Sequence, residues 1–252
     1  MGINLFAHSV RLVLGDWRNA LRLSGLLYLI YAIPSLILGL MFPAGRGQTL
    51  DPEAALAMAP VAIVTGVLAL VAFVWIAVAW HRYVLLDEQP QGQFPAFDGG
   101  RLFSYALMSL GIGILCVITG LVVGAVAGLL MLIAPPLAFV AGVLALAAAL
   151  IVGYRLAPVL PATAIGRPLG FGAAWEATKG ASGAIVVLAI VSAIAALLID
   201  LPAILLAFAG PVGRILSLIW TLGTDWVKML VGVSILTTLY GHYVEGREIP
   251  RA

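Results

Sequence analysis

AALAMAPVAIVTGVLALVAFVWIAVAW, residues 54–80, runs for 27 positions without an ionisable side chain, and HRYVLLDEQP, residues 81–90, follows at once. As a helix the run is about 40 Å long at 1.5 Å per residue, which exceeds the roughly 30 Å hydrocarbon core of a bilayer. The rest of the chain has the same character: it is 63% hydrophobic and 10% charged, with a mean hydropathy of +1.15. A soluble domain is about half apolar and about a quarter charged, and one of this composition would lack polar residues to cover its surface. The chain therefore reads as an all-α, polytopic membrane protein.

Five further apolar runs accompany the first. The expected spans are residues 21–42, 54–80, 102–132, 136–154, 184–208 and 225–243, a six-transmembrane-helix bundle in one integral membrane domain. Pro43 and Gly45 close the first span. Asp51-Pro52-Glu53 opens the second, as an N-cap followed by proline at the first helical position. Pro135 and Pro136 separate the third from the fourth. Pro211 to Leu222 fits either the start of the sixth span or a short interfacial helix.

Ahead of the first span, residues 1–20 are expected to form an amphipathic interfacial helix. Over residues 3–22, Ile3, Phe6, Val10, Val13 and Trp17 fall on one stripe, and His8, Arg11, Arg18 and Arg22 on the opposite side. A basic, tryptophan-bearing helix suits the headgroup layer of an anionic leaflet. A signal peptide is not expected here, since no short apolar core ends in a small-residue cleavage site.

Charge placement orients the bundle. Arg11, Arg18, Arg22, Arg82, Arg101, Arg155, Arg167, Lys179, Arg247 and Arg251 fall on one side, 10 of the 13 Lys and Arg residues, and Arg46, Arg214 and Lys228 on the other. The positive-inside rule makes the first side cytoplasmic. Both termini then face the cytoplasm of a bacterial inner membrane. Trp80, Tyr83, Tyr154, Trp175, Tyr240 and Tyr243 share that level, as an aromatic belt does, and His81 is expected beside them as an interfacial polar residue. The same aromatic and basic exit recurs at AWHRYVLLDEQP (79–90), GYRLAPVLPATAIGRP (153–168) and YGHYVEGREIP (240–250).

Within YRLAPVLPATAIGRPLGFGAAWEATKG (154–180), Arg155, Pro161, Pro168, Trp175, Thr178, Lys179 and Gly180 form a pattern of arginine after a span, a proline-bearing helix and Ala-Trp-x-x-Thr-Lys-Gly. This pattern resembles that of YciC-like bacterial inner-membrane proteins, and the membrane domain fused to some glycerophosphodiester phosphodiesterases is similar. The resemblance implies a six-span inner-membrane protein with envelope or lipid functions. It implies no phosphodiesterase activity, because the catalytic barrel of those fusions is absent.

No catalytic constellation is visible: there is no nucleophile elbow, zinc-protease motif or phosphate-binding glycine loop. His8, His81 and His242 lack the spacing of metal ligands on one helix. Cys116, the single cysteine, excludes a disulfide framework. The expectation is a protein with no catalytic residues, no metal, no cofactor and no nucleic-acid partner. Its partners would be membrane lipids, anionic phospholipids above all, met at Arg11, Arg18, Arg22, Arg82, Arg155 and Lys179. A helix-packing face is expected at Gly120, Gly124 and Gly128 on the third span and at Gly142 and Gly153 on the fourth. That face would close a hairpin within one chain or dock a second copy or another membrane protein.

Three charges fall in apolar surroundings. Asp225 and Lys228 are expected to sit at the start of the sixth span, Thr224-Asp225 as N-cap and Lys228 reaching the headgroups. In the alternative, Asp200, Asp225 and Lys228 meet inside the bundle as an ion or proton relay of a small transporter or channel, with Arg214 as a further member. The leading expectation is a structural or accessory component of a membrane complex or of envelope lipid homeostasis.

Overall fold

The structure, a computed structural model, describes residues 1–41, 52–89, 92–131 and 137–250. Pro43, Gly45, Arg46, Asp51, Pro135, Pro136 and Arg251 lie outside the described residues. The described chain is all-helical: α1 (Gly2–Leu14), α2 (Trp17–Met41), α3 (Pro52–Leu86), α4 (Gly99–Met131), α5 (Leu137–Leu156), α6 (Val159–Ala164), α7 (Phe171–Ala177), α8 (Ser182–Ala207) and α9 (Gly210–Tyr243). Six of these, α2, α3, α4, α5, α8 and α9, include segments long and apolar enough to cross a membrane. The molecule is a multi-pass membrane protein.

Helix α9 is the hub. From Leu230 to Gly241 most of its side chains are buried, and α1, α2, α3, α6 and α8 all pack against it. Ser234, Thr237 and Thr238 recur on its buried face. Small hydroxyl residues let membrane helices approach closely and hydrogen-bond across the gap, where hydrophobic burial no longer drives association. The α4–α5 hairpin is peripheral: among its described residues before Val152, only Leu102, Tyr105 and Ile112 are buried, all on α4. The starts of α2, α4 and α8 and the ends of α3, α5 and α9 gather with α1, α6 and α7 at one end of the bundle. This end carries nearly all the arginines and is called the basic end below.

Two helices depart from the sequence expectation. The pattern over residues 3–22 is not one helix. It breaks at Gly15-Asp16, where the Asp16 carboxylate accepts hydrogen bonds from the Tyr83 hydroxyl and from Asn19 Nδ2. Those donors, Tyr83 first, hold the Asp16 carboxyl below its ordinary value of 3.8. The break lets α1 fold back across α8 and α9 while α2 enters the bundle. Its buried face is Gly2, Leu5, Ser9 and Val13, whereas Ile3 and Trp17, expected on the apolar stripe, are 57% and 52% exposed. Close approach selects that face. A Cβ on Gly2 would lie 2.8 Å from Val187 Cβ, and Ser9 is hydrogen-bonded to Thr238 at 3.0 Å.

The sixth span does not start at Asp225. Helix α9 is continuous from Gly210, so residues 211–222 belong to it. The α8–α9 turn is tight because Gly210 takes the left-handed conformation, φ 79°, and because a Cβ at Gly213 would lie 2.7 Å from Ala209 Cβ. Beyond the turn α9 is stitched to α8. Ser217 Oγ donates to the Ala203 carbonyl (2.8 Å) and Trp220 Nε1 to the Ile199 carbonyl (2.8 Å). Pro202, inside α8, supplies no N–H to the Leu198 carbonyl one turn earlier.

Candidate functional site

The continuity of α9 repositions the three suspect charges. Lys228 lies about 27 Å from the Gly210 end of the helix and about 22 Å from the Tyr243 end. Asp200 lies about 27 Å from the start of α8 and about 10 Å from its end. Neither is at a helix terminus. Thr224 caps nothing; its hydroxyl donates back to the Trp220 carbonyl at 3.0 Å. The expected N-cap at Thr224-Asp225 is therefore overturned, because the helix has already begun fifteen residues earlier.

Instead Asp200, Asp225 and Lys228 meet. Lys228 Nζ lies 2.7 Å from Asp200 Oδ1 and 2.8 Å from Asp225 Oδ1. Side chains on a helix lean toward its N-terminus, so the Lys228 stem runs toward the Gly210 end, where antiparallel α8 presents Asp200. Asp225, three residues earlier on the same face, closes the other side. One ammonium between two carboxylates leaves a net charge of −1. Arg214 forms no ion pair among the described residues and stays outside the group. Lys228 also lines a cavity of about 400 Å³ between α1, α5, α8 and α9, and Asp225 a groove of about 260 Å³ between α2 and α9.

A second polar group lies where a membrane boundary was expected. His81 and Trp80 are fully buried inside the protein and not exposed at its surface. Trp80 Nε1 donates to Ser234 Oγ at 2.7 Å. His81 Nδ1 lies 2.8 Å from Thr237 Oγ1, and Nε2 lies 3.1 Å from the Tyr105 hydroxyl. The proton order follows from the inventory of donors. Thr237 donates to the Val233 carbonyl at 3.0 Å, so its oxygen accepts from His81 Nδ1–H, and Nε2 accepts from Tyr105. This network-assigned tautomer is neutral. The chain Tyr105–His81–Thr237 ties α4, α3 and α9 together at the basic end.

The expected lipid-contacting cations divide sharply. Arg11 donates to the Pro250 carbonyl at 3.2 Å. Arg82 pairs with Glu88 and also donates to the Ala164 carbonyl. Lys179 pairs with Glu176 at 3.3 Å. Arg155 stacks over the Trp175 ring at 3.7 Å, donates to the Trp175 carbonyl at 2.9 Å and reaches Thr178 Oγ1. Arg155, Trp175 and Thr178 thus form a clasp between the end of α5 and α7. Among the described residues Arg18 has only the ring of its neighbour Trp17, at 5.6 Å, and Arg22 makes no contact of this kind. Both are exposed.

The glycine face is not a tight seam. Helices α4 and α5 do pack together, yet a Cβ on Gly120, Gly124, Gly128 or Gly142 would meet no atom of the described residues within 4 Å. Only Gly153 is close, with Cys116 Sγ 3.2 Å from its Cβ position. The two helices pack closely, but not through the glycine stripe, which faces no described neighbour. Gly120→Ala, Gly124→Ala and Gly128→Ala should each leave thermal unfolding in detergent unchanged, or stabilise by about 0.5–1 kcal/mol through helix propensity. A loss of stability in any of them would show that the stripe is filled in the working protein.

Among the described residues no three His, Cys, Asp or Glu converge on a metal-sized site. His8 lies on α1, where burial first and Arg11 second hold it below its ordinary value of 6.5. His242 Nδ1 lies 3.0 Å from the Arg247 carbonyl.

Fold and site define a class: a six-span membrane protein with an ion-paired lysine in mid-helix and a locked polar core at its basic end. Comparison with protein-family models, curated proteins and solved structures returns no match.

Proposed function

We propose that the chain is a non-enzymatic protein of the bacterial inner membrane, with both termini cytoplasmic, acting through lipid contact and helix packing as a structural or accessory component. The observation that carries this reading is the pair Arg18 and Arg22, exposed without acidic partners and flanked by Leu14, Trp17 and Leu21, which are 53%, 52% and 47% exposed. Exposed apolar groups below unpaired guanidinia suit the headgroup boundary of an anionic leaflet. The described cations at that end far outnumber those at the other, which supports placing it in the cytoplasm. Purification in mild detergent from native membranes should yield a complex enriched in anionic phospholipid over the bulk membrane. Bound lipid of bulk composition would overturn the reading.

A second reading, transport, is favoured by the position of Lys228 between the 400 Å³ cavity and the groove that Asp225 lines. Intramembrane charges mark ion and proton paths more often than not. Proton flux through vesicles holding a folded, charge-free variant separates the two.

A further inference from the structure

On α2, Arg18, Arg22, Gly25, Leu26 and Leu29 fall at three- and four-residue steps and share one helix face. The two guanidinia stand at the basic end of that face. Directly beyond them lies an apolar groove of about 510 Å³, walled by Gly25, Leu26 and Leu29 of α2 and by Ile219, Leu222 and Gly223 of α9. The groove is open on the α9 side because Gly223 brings no side chain, and a Cβ there would meet no described atom within 4 Å; on α2 the Leu21 side chain lies over Gly25, 2.9 Å from its Cβ position. Its floor is held in place. Trp226 Nε1 donates to Ser24 Oγ at 2.8 Å, and the Tyr28 hydroxyl donates to the Leu222 carbonyl at 2.8 Å. With those polar atoms satisfied, hydrocarbon fits the groove better than water does.

The charge above it asks for an anion. Two arginines four residues apart on one face repel each other, and no carboxylate pairs with either among the described residues. The nearest acid in sequence, Asp16, is engaged by Tyr83 and Asn19. A phosphate diester between the two guanidinia would relieve the repulsion and accept their hydrogen bonds in the planar geometry that arginine favours. From Arg22 to Leu29 the face extends about 10 Å, within the roughly 15 Å depth of one leaflet's hydrocarbon.

We propose that Arg18, Arg22 and the α2–α9 groove form a binding site for one anionic phospholipid, its phosphate between the guanidinia and one acyl chain along the groove. This rests on the lipid-contact reading above and names its site. The lipid is a leaflet phospholipid, not free phosphate, because the groove has no other use for a chainless anion.

Native mass spectrometry of the full chain in detergent, titrated with phosphatidylglycerol and separately with phosphatidylcholine, tests it. Wild type should prefer phosphatidylglycerol by about tenfold, since charge-assisted hydrogen bonds to both arginines are made only with an anionic lipid. R18Q/R22Q, altered at exposed positions, should keep its circular dichroism and lose that preference. Gly223→Leu, which fills the groove, should weaken retention of both lipids, and glycerol phosphate, which has no acyl chain, should not bind wild type. A preference that survives in R18Q/R22Q, or undiminished retention of both lipids in Gly223→Leu, overturns the site while leaving the lipid reading standing. Equal wild-type binding of the two lipids overturns both.

Discussion

Lys228→Met is expected to be among the most destabilising single changes in the chain, by roughly 3 kcal/mol in detergent. The methionine fills much the same volume, so packing is little altered. What changes is charge. Asp200 and Asp225 lose the ammonium that lies 2.7 and 2.8 Å away and face each other as two unpaired carboxylates far from either helix end. Removing one partner of a low-dielectric ion pair costs about 3–5 kcal/mol. The lower value applies here because the three side chains keep 28–48% of their surface.

The companion variant decides what the group is for. Asp200→Asn/Asp225→Asn/Lys228→Met removes every charge at once, and a fully neutral replacement of an ion-paired group is usually close to neutral in stability. The triple variant should therefore unfold within about 1 kcal/mol of wild type. With the fold retained, it can be reconstituted beside wild type and a proton gradient imposed across the vesicles. A clamp predicts the same low leak from both. A wild-type flux that disappears in the folded triple variant would establish transport and overturn the structural reading. Stability alone cannot separate these; flux in a stable neutral variant can.

The number of spans was legible because bilayer thickness sets a length that sequence reports directly: an uninterrupted run such as 54–80 admits little else. Charged residues inside such runs were harder to place. Asp225 and Lys228 resemble a helix start when read alone, and they drew the boundary of the sixth span toward themselves. The true start carries its own signal, Gly210-Pro211 followed by Gly213, whose meaning depends on the approach of Leu206 of α8 and Ala209 of the turn. The face of α1 was legible at Val13, which is buried, and at Phe6 and Val10, which pack against the core; the rest of it was missed for a related reason. Periodicity gives the direction of greatest apolarity, but Gly2 and Ser9 are buried for closeness and for a hydrogen bond, properties that a hydrophobic stripe does not register.

Arg18 and Arg22 were visible as two basic residues among six, and no sequence rule could tell them from Arg82 or Arg155. The difference lies in what comes near: Glu88 folds back on Arg82, and Trp175 slides under Arg155 from twenty residues away. Charge placement along the chain is local information, whereas charge compensation depends on tertiary contacts. For the same reason the recurring exits at 79–90, 153–168 and 240–250 look alike in sequence and serve different contacts in the fold. The first supplies the buried His81, the second the Arg155 clasp, and the third a tail in which Arg247 pairs with Glu245 and donates to the Leu85 carbonyl.

His81→Ala is expected to destabilise the protein by about 3–5 kcal/mol, combining the cavity left by a fully buried ring with the loss of its hydrogen bonds. Had His81 been exposed on the surface of the basic end, as its charged neighbours suggest, the same change would fall within about 0.5 kcal/mol of wild type; thermal unfolding in detergent separates the two outcomes. The variants should also be ordered. Tyr105→Phe keeps the ring packing and strands only Nε2, so about 1–3 kcal/mol is lost. Thr237→Val strands Nδ1–H and removes the hydroxyl that links it to the Val233 carbonyl, a loss of similar size. His81→Phe should be worse than Tyr105→Phe, since it preserves volume but deprives both hydroxyls of their ring partner. Adding Tyr105→Phe to His81→Phe should recover part of the loss, because replacing both members of a buried hydrogen bond by apolar groups of like shape is nearly neutral. A network reads out as this non-additivity. Equal, additive effects at His81 and Tyr105 would mean that the ring is held by packing alone and that its two nitrogens do not tie α3 to α4 and α9.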